Sequence, residues 1–317
     1  MLLLSLWLTG CKVPAPVPAS APPIGSGASV HVLMVGDIGS DTTDRRRVLE
    51  GMRARCAERR CDAVVLLGDL IYPRGPTSPD DPRLDDWIGA YTALAPVYLA
   101  LGNHDYGHGR DDLAVDHLLA WAAARPDVHL PSPLYTASLG DGLGTLAVID
   151  TNHIFQYGDT RLGAAESGDA FPSQGAWLDH LAAGPGPLVV AGHHPFRSNG
   201  PHGNAGRYEG WRNLPWASGR SLQAFFEAHI GPQALMYANG HDHNLQLLPC
   251  GRTTCAVAGS GAKTRELVDR GNTPHFAASI PGFVALELST DGADAVACDA
   301  RGQEVARVSL QPLERSP

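Results

Sequence analysis

Four times in this 317-residue chain a run of apolar residues ends at a short cluster of polar, metal-capable side chains, and a fifth cluster follows a shorter run. The clusters are Gly36-Asp37-Ile38-Gly39, Gly68-Asp69-Leu70-Ile71-Tyr72, Gly102-Asn103-His104-Asp105, Gly192-His193-His194 and Gly240-His241-Asp242-His243. A short apolar run bounded by glycine reads as a buried strand. A polar group just beyond its end sits on a loop at the edge of the sheet, where open α/β proteins bind ligands. The pattern therefore demands a sheet whose reactive groups collect along one edge.

The segments between the clusters agree. Val30 to Val35, Ala63 to Leu67, Val97 to Leu101, Leu143 to Ile149, Leu188 to Ala191 and Ala234 to Ala238 read as strands. Asp44 to Cys56, with Thr42 or Thr43 placed to cap it, Leu84 to Leu94, Leu113 to Ala124, Gln174 to Leu181 and Ser221 to His229 read as helices. Strand–helix–strand alternation implies parallel pairing with right-handed crossovers. After His243 the pattern turns to strands, at Leu245–Pro249, Thr254–Ala258, Gly282–Leu288 and Ala293–Cys298. The predicted architecture is an α/β sandwich of two mixed sheets packed face to face and flanked by helices. Thr151 to Ser173 and the glycine-rich Ser198 to Gly219 are expected to be loops, the second beside the site.

The chain is long enough for one sizeable core. No composition shift after residue 28 marks a second domain, so residues 29–317 are expected to form one unit and a monomer is the expected state. A formal charge of −9 without a basic stripe argues against nucleic acid as a partner. Leu2 to Leu8 is too short to span a bilayer as a helix. It runs into Leu8-Thr9-Gly10-Cys11, which resembles the lipobox of bacterial lipoproteins, although no Lys or Arg precedes it. That resemblance implies an exported protein, either a bacterial cell-envelope lipoprotein anchored through Cys11 or a periplasmic or secreted one. Lys12 to Ala28, rich in Pro, Ala, Ser and Gly, then reads as a flexible tether. Cys56/Cys61 and Cys250/Cys255 are close pairs with four residues between their members, and Cys298 is left over. Local disulfides in an oxidising compartment are the preferred reading, with buried free thiols the alternative.

Taken singly, each cluster has a plain structural explanation: a turn-forming Asp, a capped turn, or two histidines on one side of an extended segment. Five in this order are hard to explain that way. As a set they resemble the calcineurin-like metallophosphoesterase superfamily and its four-layer fold. Tyr72 of the second motif points to the purple acid phosphatase branch. Gly240-His241-Asp242-His243-Asn244-Leu245-Gln246 looks like the small tartrate-resistant type. The likeness runs from about Val30 to Leu288.

That resemblance implies that Asp37, Tyr72 and His243 bind one metal, Fe(III) in the purple enzymes. Asn103, His193 and His241 would bind a divalent Fe, Zn or Mn, with Asp69 bridging the two. Ligand chemistry agrees, since carboxylate and phenolate oxygens suit a trivalent ion and imidazole a borderline divalent one. His104 and His202 are the catalytic candidates. His202 lies nine residues after His193, the spacing of an acid histidine in the tartrate-resistant type, although Asn199-Gly200-Pro201-His202 replaces that type's His-Gly-Pro. Asp105 is expected to orient His104, and His194 to be structural. Gly259-Ser260-Gly261-Ala262-Lys263-Thr264 resembles a phosphate loop only superficially, because the glycine spacing of a Walker motif is absent.

The expected activity is hydrolysis of phosphomonoesters, of a small molecule or a phosphoprotein, by a water activated between two metals. A phosphodiesterase or nucleotidase on the same core is the alternative among enzymes. A non-catalytic metal-binding surface lipoprotein is the alternative of another class.

Overall fold

The computed structural model of the chain describes residues 18–107, 112–160, 171–210 and 217–311. The first half holds strands β1 (Ala19–Ser20) and β2 (Ser29–Val35), helix α1 (Thr43–Glu58), and strands β3 (Ala63–Leu67) and β4 (Val97–Ala100). Helix α2 (Asp112–Ala123), strands β5 (Val128–His129), β6 (Tyr135–Leu139) and β7 (Gly144–Val148), and helix α3 (Thr151–Tyr157) follow. Then come helix α4 (Gln174–Ala182), strand β8 (Leu188–Ala191), helix α5 (Arg220–Phe225) and strand β9 (Ala234–Asn239). The chain closes with β10 (Leu245–Cys250), β11 (Thr253–Ala258), β12 (Phe276–Ala278), β13 (Gly282–Ser289), β14 (Gly292–Asp299) and β15 (Glu304–Leu310).

Two mixed sheets result. One runs β15-β14-β13-β2-β3-β4-β5, with β2 to β5 parallel and β13 to β15 antiparallel. The other runs β1-β6-β7-β8-β9-β11-β10-β12, with β7, β8, β9 and β11 parallel. Side-chain alternation along the strands explains why they stack. Leu146 and Val148 of β7 join Val32, Leu66 and Leu286 of the facing sheet in one core, whereas Ala147 and Ile149 turn outward to Trp177, Leu178 and Phe225 beside α3, α4 and α5. Helix α1 packs Val48 and Met52 into the core from the other side. The sandwich of two mixed sheets flanked by helices, as expected from sequence, is what forms.

Several local expectations differ. Helix α1 is capped by Thr42, whose Oγ1 accepts from Arg45 N at 3.1 Å. Leu84 to Leu94 is not an α-helix but a π turn over Leu84–Ile88 followed by a 3-10 turn over Gly89–Ala93. Thr151 to Tyr157 is helical rather than loop, because Asp150 caps it by accepting from His153 N at 2.9 Å. Residues 161–170 of that expected loop lie outside the described residues.

The tether expected over Lys12 to Ala28 is corrected where it is described. β1 pairs in parallel with β6, Ile24 is fully buried, and Tyr98 donates its hydroxyl to the carbonyls of Pro22 (2.9 Å) and Pro23 (3.3 Å). The prolines withhold N–H groups, but Ala19, Ala21 and Ile24 keep theirs and donate to Leu134 O (3.3 Å), Thr136 O (2.8 Å) and Ser138 O (2.8 Å), so the segment still docks along this edge. Cys11 and the Leu2–Leu8 run lie outside the described residues. Among the described residues no helix is long and apolar enough to cross a membrane. Both close cysteine pairs are disulfides, Cys56–Cys61 and Cys250–Cys255, and Cys298 is free and buried.

Candidate metal centre

All five clusters leave the C-terminal ends of parallel strands: β2, β3 and β4 from one sheet, β8 and β9 from the other. The two sheets are laced together at this edge. Gly36 N donates to Ala258 O at 2.8 Å, and the His193 Nδ1 lies 2.8 Å from Leu67 O. Three of the seven predicted ligands, Asp37 (φ 59°), Asp69 (φ 55°) and His241 (φ 68°), adopt left-handed backbone. Such a conformation costs a non-glycine residue of the order of 1–3 kcal/mol and persists only where neighbours hold it. Here each strained N–H is used: Asp37 N donates to Gly68 O (2.9 Å), Asp69 N to Asp105 Oδ2 (2.8 Å), and His241 N to Asp37 Oδ2 (2.8 Å).

The glycines preceding the ligands are forced by proximity. A Cβ on Gly102 would stand 2.3 Å from Asp69 Oδ1, and one on Gly240 would stand 2.5 Å from Asp37 Oδ2. Backbone and carboxylate approach too closely for any side chain.

The side chains converge. Asp37, Asp69 and His193, all buried, each place a ligand atom within 4.8 Å of the others. Tyr72 Oη lies 2.9 Å from Asp37 Oδ1, 2.9 Å from Asp69 Oδ2 and 3.3 Å from His243 Nε2. His243 Nε2 is 3.2 Å from Asp37 Oδ1. On the other flank His193 Nε2 is 3.4 Å from Asp69 Oδ1 and 3.2 Å from His241 Nδ1. Asn103 sits between Gly102 and His104, whose N–H groups donate to Asp105 and Asp69.

The donor set fits metal ions on physical grounds. Asn103 Oδ1 and His243 Nδ1 are buried without a hydrogen-bond partner. A buried acceptor left unpaired is costly, and a cation would satisfy Asn103 Oδ1 directly. Burial pushes the Asp37 carboxyl up, yet His243, His193 and Tyr72 together bring it down to about 2. Burial, and then the neighbouring imidazoles of His202, His194, His193 and His243, hold His241 well below its ordinary value, so it is neutral and can ligate. Burial, and then the Asp37 and Asp69 carboxylates, drive the Tyr72 phenol well above its ordinary value. A phenolate at this position therefore needs a strongly charged cation.

The two candidate catalytic histidines flank this group. His104 Nδ1 lies 2.6 Å from Pro73 O, its Nε2 is 3.8 Å from Asp69 Oδ2, and its ring stands edge-on to Tyr72 with centroids 4.4 Å apart. The ring of His202 lies 4.1 Å from that of His241. The expectation that Asp105 orients His104 is corrected: its carboxylate is bonded to backbone N–H groups and not to that ring. Its buried carboxylate accepts from Asp69 N, Leu70 N and Gly102 N, so it fixes the backbone around the bridging position instead. The reason is reach, since three N–H groups of adjacent strand ends surround its two oxygens. His194 is buried and bonded through Nδ1 to Thr151 Oγ1 at 3.0 Å, which agrees with a structural role.

Three residues escaped sequence reasoning. Asp242, between two predicted ligands, accepts from His202 N (2.9 Å) and Gly203 N (3.1 Å), holding the 200–203 turn against the centre. Glu209 Oε1 lies 2.9 Å from His202 Nδ1. Lys263 places Nζ 3.9 Å from the centroid of the Tyr72 ring. Asp242 could have been suspected from its cluster; nothing local marks Glu209.

The family model for calcineurin-like phosphoesterase matches residues 30–245. The chain belongs to this family and is a metal-dependent phosphoester hydrolase. It is similar to purple acid phosphatase 4 of Arabidopsis thaliana, 24% identical over 304 residues that cover 87% of this chain and 82% of the relative. With purple acid phosphatase 17 of the same organism it shares 26% identity over 239 residues, 71% of this chain and 65% of the relative. These similarities lie in the purple acid phosphatase branch. The fold is also shared with GAP50, the anchor in the inner membrane complex of Plasmodium, at a TM-score of 0.71 and 16% identity over 91% of this chain and 90% of that one. PhoD superposes at 0.54 with 13% identity, over 90% and 69% of the two chains.

Proposed function

We propose that the chain is a binuclear phosphomonoesterase of the purple acid phosphatase kind. The observation that carries this reading is the Tyr72 hydroxyl, 2.9 Å from the carboxylates of both Asp37 and Asp69. Asp37, Tyr72 and His243 would hold a trivalent iron. Asn103, His193 and His241 would hold a divalent Fe, Zn or Mn, with Asp69 shared between them. Two cations there would neutralise phosphoryl charge and bring the pKa of a bound water toward about 7.

The chain's own groups do the rest. His104, anchored through Nδ1 to Pro73 O, keeps Nε2 beside Asp69, at the position a phosphoryl oxygen would take. His202, anchored through Nδ1 to Glu209, has Nε2 left to protonate a departing alkoxide. Asp242 keeps that histidine at the centre by binding its backbone N–H. Charge neutralisation and positioning, rather than a covalent intermediate, then suffice for phosphoryl transfer.

The test is element-resolved metal content with a visible spectrum, alongside rates on p-nitrophenyl phosphate and its bis ester. Near two metals per chain, including iron, a purple or pink band that Tyr72→Phe bleaches, and a faster monoester are expected. A colourless iron-loaded wild type would remove Tyr72 from the ligand set, and a clearly faster diester would overturn the monoesterase reading.

A further inference from the structure

We propose that Lys263 is a specificity-determining residue of this site: its ammonium recognises the second negative charge of a phosphomonoester dianion. The proposal rests on the phosphomonoesterase reading above. The chain contains two lysines, Lys12 and Lys263. Lys263 belongs to the Gly259–Thr264 stretch that follows β11 and lacks the spacing of a Walker loop.

The fold nevertheless brings this stretch to the centre and fixes it at both ends. Gly36, which precedes Asp37, donates to Ala258 O at 2.8 Å and accepts from Gly261 N at 3.2 Å. Thr42 Oγ1 donates to Ala262 O. Beyond Lys263, Arg265 N donates to the carbonyl of His243 at 2.7 Å. The residue is thus tied between two predicted ligand positions.

Its Nζ lies over the Tyr72 ring, 3.9 Å from the centroid, and the side chain is half-buried. Asp37 and Asp69 are the carboxylates whose charges act on it. Among the described residues neither forms an ion pair with Nζ, and no hydrogen bond to Nζ is present. A half-buried ammonium that lies over a ring face and has no hydrogen-bond partner among the described residues keeps its donors for something else. On the phosphomonoesterase reading, a phosphate ester bound at the Asp37 and Asp69 carboxylates would lie beside Tyr72, within reach of this ammonium. A lysine suits the task as a compact point charge on a flexible stem, able to meet an oxygen without the planar fork of arginine. A monoester dianion carries one charge more than a diester, so a cation here favours the monoester.

The experiment compares wild type, Lys263→Met and Lys263→Arg, loaded with metal, on p-nitrophenyl phosphate and bis(p-nitrophenyl) phosphate. Lys263→Met is expected to lower the monoester-to-diester ratio of kcat/KM about tenfold, mainly through KM, and to weaken competitive inhibition by inorganic phosphate about tenfold. Lys263→Arg should restore most of both. Retained metal content and visible spectrum show that the variants are folded. A readout free of turnover is acylation of Lys263 by an amine reagent, followed by mass spectrometry with Lys12 as internal reference. Inorganic phosphate should slow the acylation of Lys263 severalfold in the metal-loaded protein. Equal loss on both esters, unchanged phosphate inhibition, or acylation indifferent to phosphate would overturn the role. If the wild type hydrolyses neither ester, the phosphomonoesterase reading fails while the acylation result still decides Lys263.

Discussion

Glu209 has backbone in the left-handed region (φ 52°), an unfavourable place for a residue with a Cβ. Two bonds to one partner hold it there, its N–H to His202 O at 2.8 Å and its carboxylate to His202 Nδ1 at 2.9 Å. The arrangement fixes both the ring and the free nitrogen of His202, much as carboxylates orient metal-bound imidazoles. Glu209→Gln should lower kcat roughly ten- to a hundredfold with KM and metal content held. His202→Asn should lose more, on the order of 10²–10⁴-fold. Steady-state kinetics with metal analysis checks both, and a Glu209→Gln enzyme with wild-type kcat would remove the pair from the reaction. The five clusters that carry the candidate ligands were legible in the sequence, because each opens with a glycine after an apolar run. Glu209 was not, because its partner lies seven residues away across a turn whose shape only the fold defines.

At the scale of elements, the β10–β11 hairpin joins the centre to the body of the sheet. Its near ends carry His243 and the Gly259–Lys263 stretch, and its far end is closed by Cys250–Cys255, with Cα atoms 5.8 Å apart. A loop this short loses modest entropy on closure, so replacing both cysteines by serine should destabilise the protein by about 2 kcal/mol. The midpoint of urea unfolding reads that change, and kcat should hold because the bridge lies at the opposite end of the hairpin from His243 and Lys263. A midpoint equal to wild type would show that the pair is mechanically idle. Both disulfides were legible as an option in the cysteine spacing. The choice over free thiols came from the fold, which set each pair on neighbouring backbone.

Across the whole molecule, Glu287 of β13 joins helix α1 to the last strand. Its carboxylate lies 2.8 Å from Arg55, 3.0 Å from Arg59 and 3.0 Å from Arg307 of β15. Burial raises its pKa, but the Arg307 hydrogen bond and the surrounding guanidinium charges win, leaving it below its ordinary value of 4.5. A carboxyl whose folded pKa is depressed lends stability above its unfolded pKa, and that contribution disappears as pH falls through the folded value. Glu287→Gln should therefore lower Tm at neutral pH, and its gap from wild type should narrow steadily below pH 4.5. Thermal melts of both proteins over the acid range check this; a gap independent of pH would assign the loss to packing.

The main strands along the chain, their parallel pairing and the edge at which the reactive groups gather followed from hydrophobic runs and glycine positions, because strand burial and turn chemistry are local properties. The docking of residues 18–28 beside β6, the backbone role of Asp105 and the arrival of Lys263 over Tyr72 were decided by tertiary structure alone. Each depends on partners distant in the chain, some more than a hundred residues away, and such pairings leave no periodic trace in one sequence.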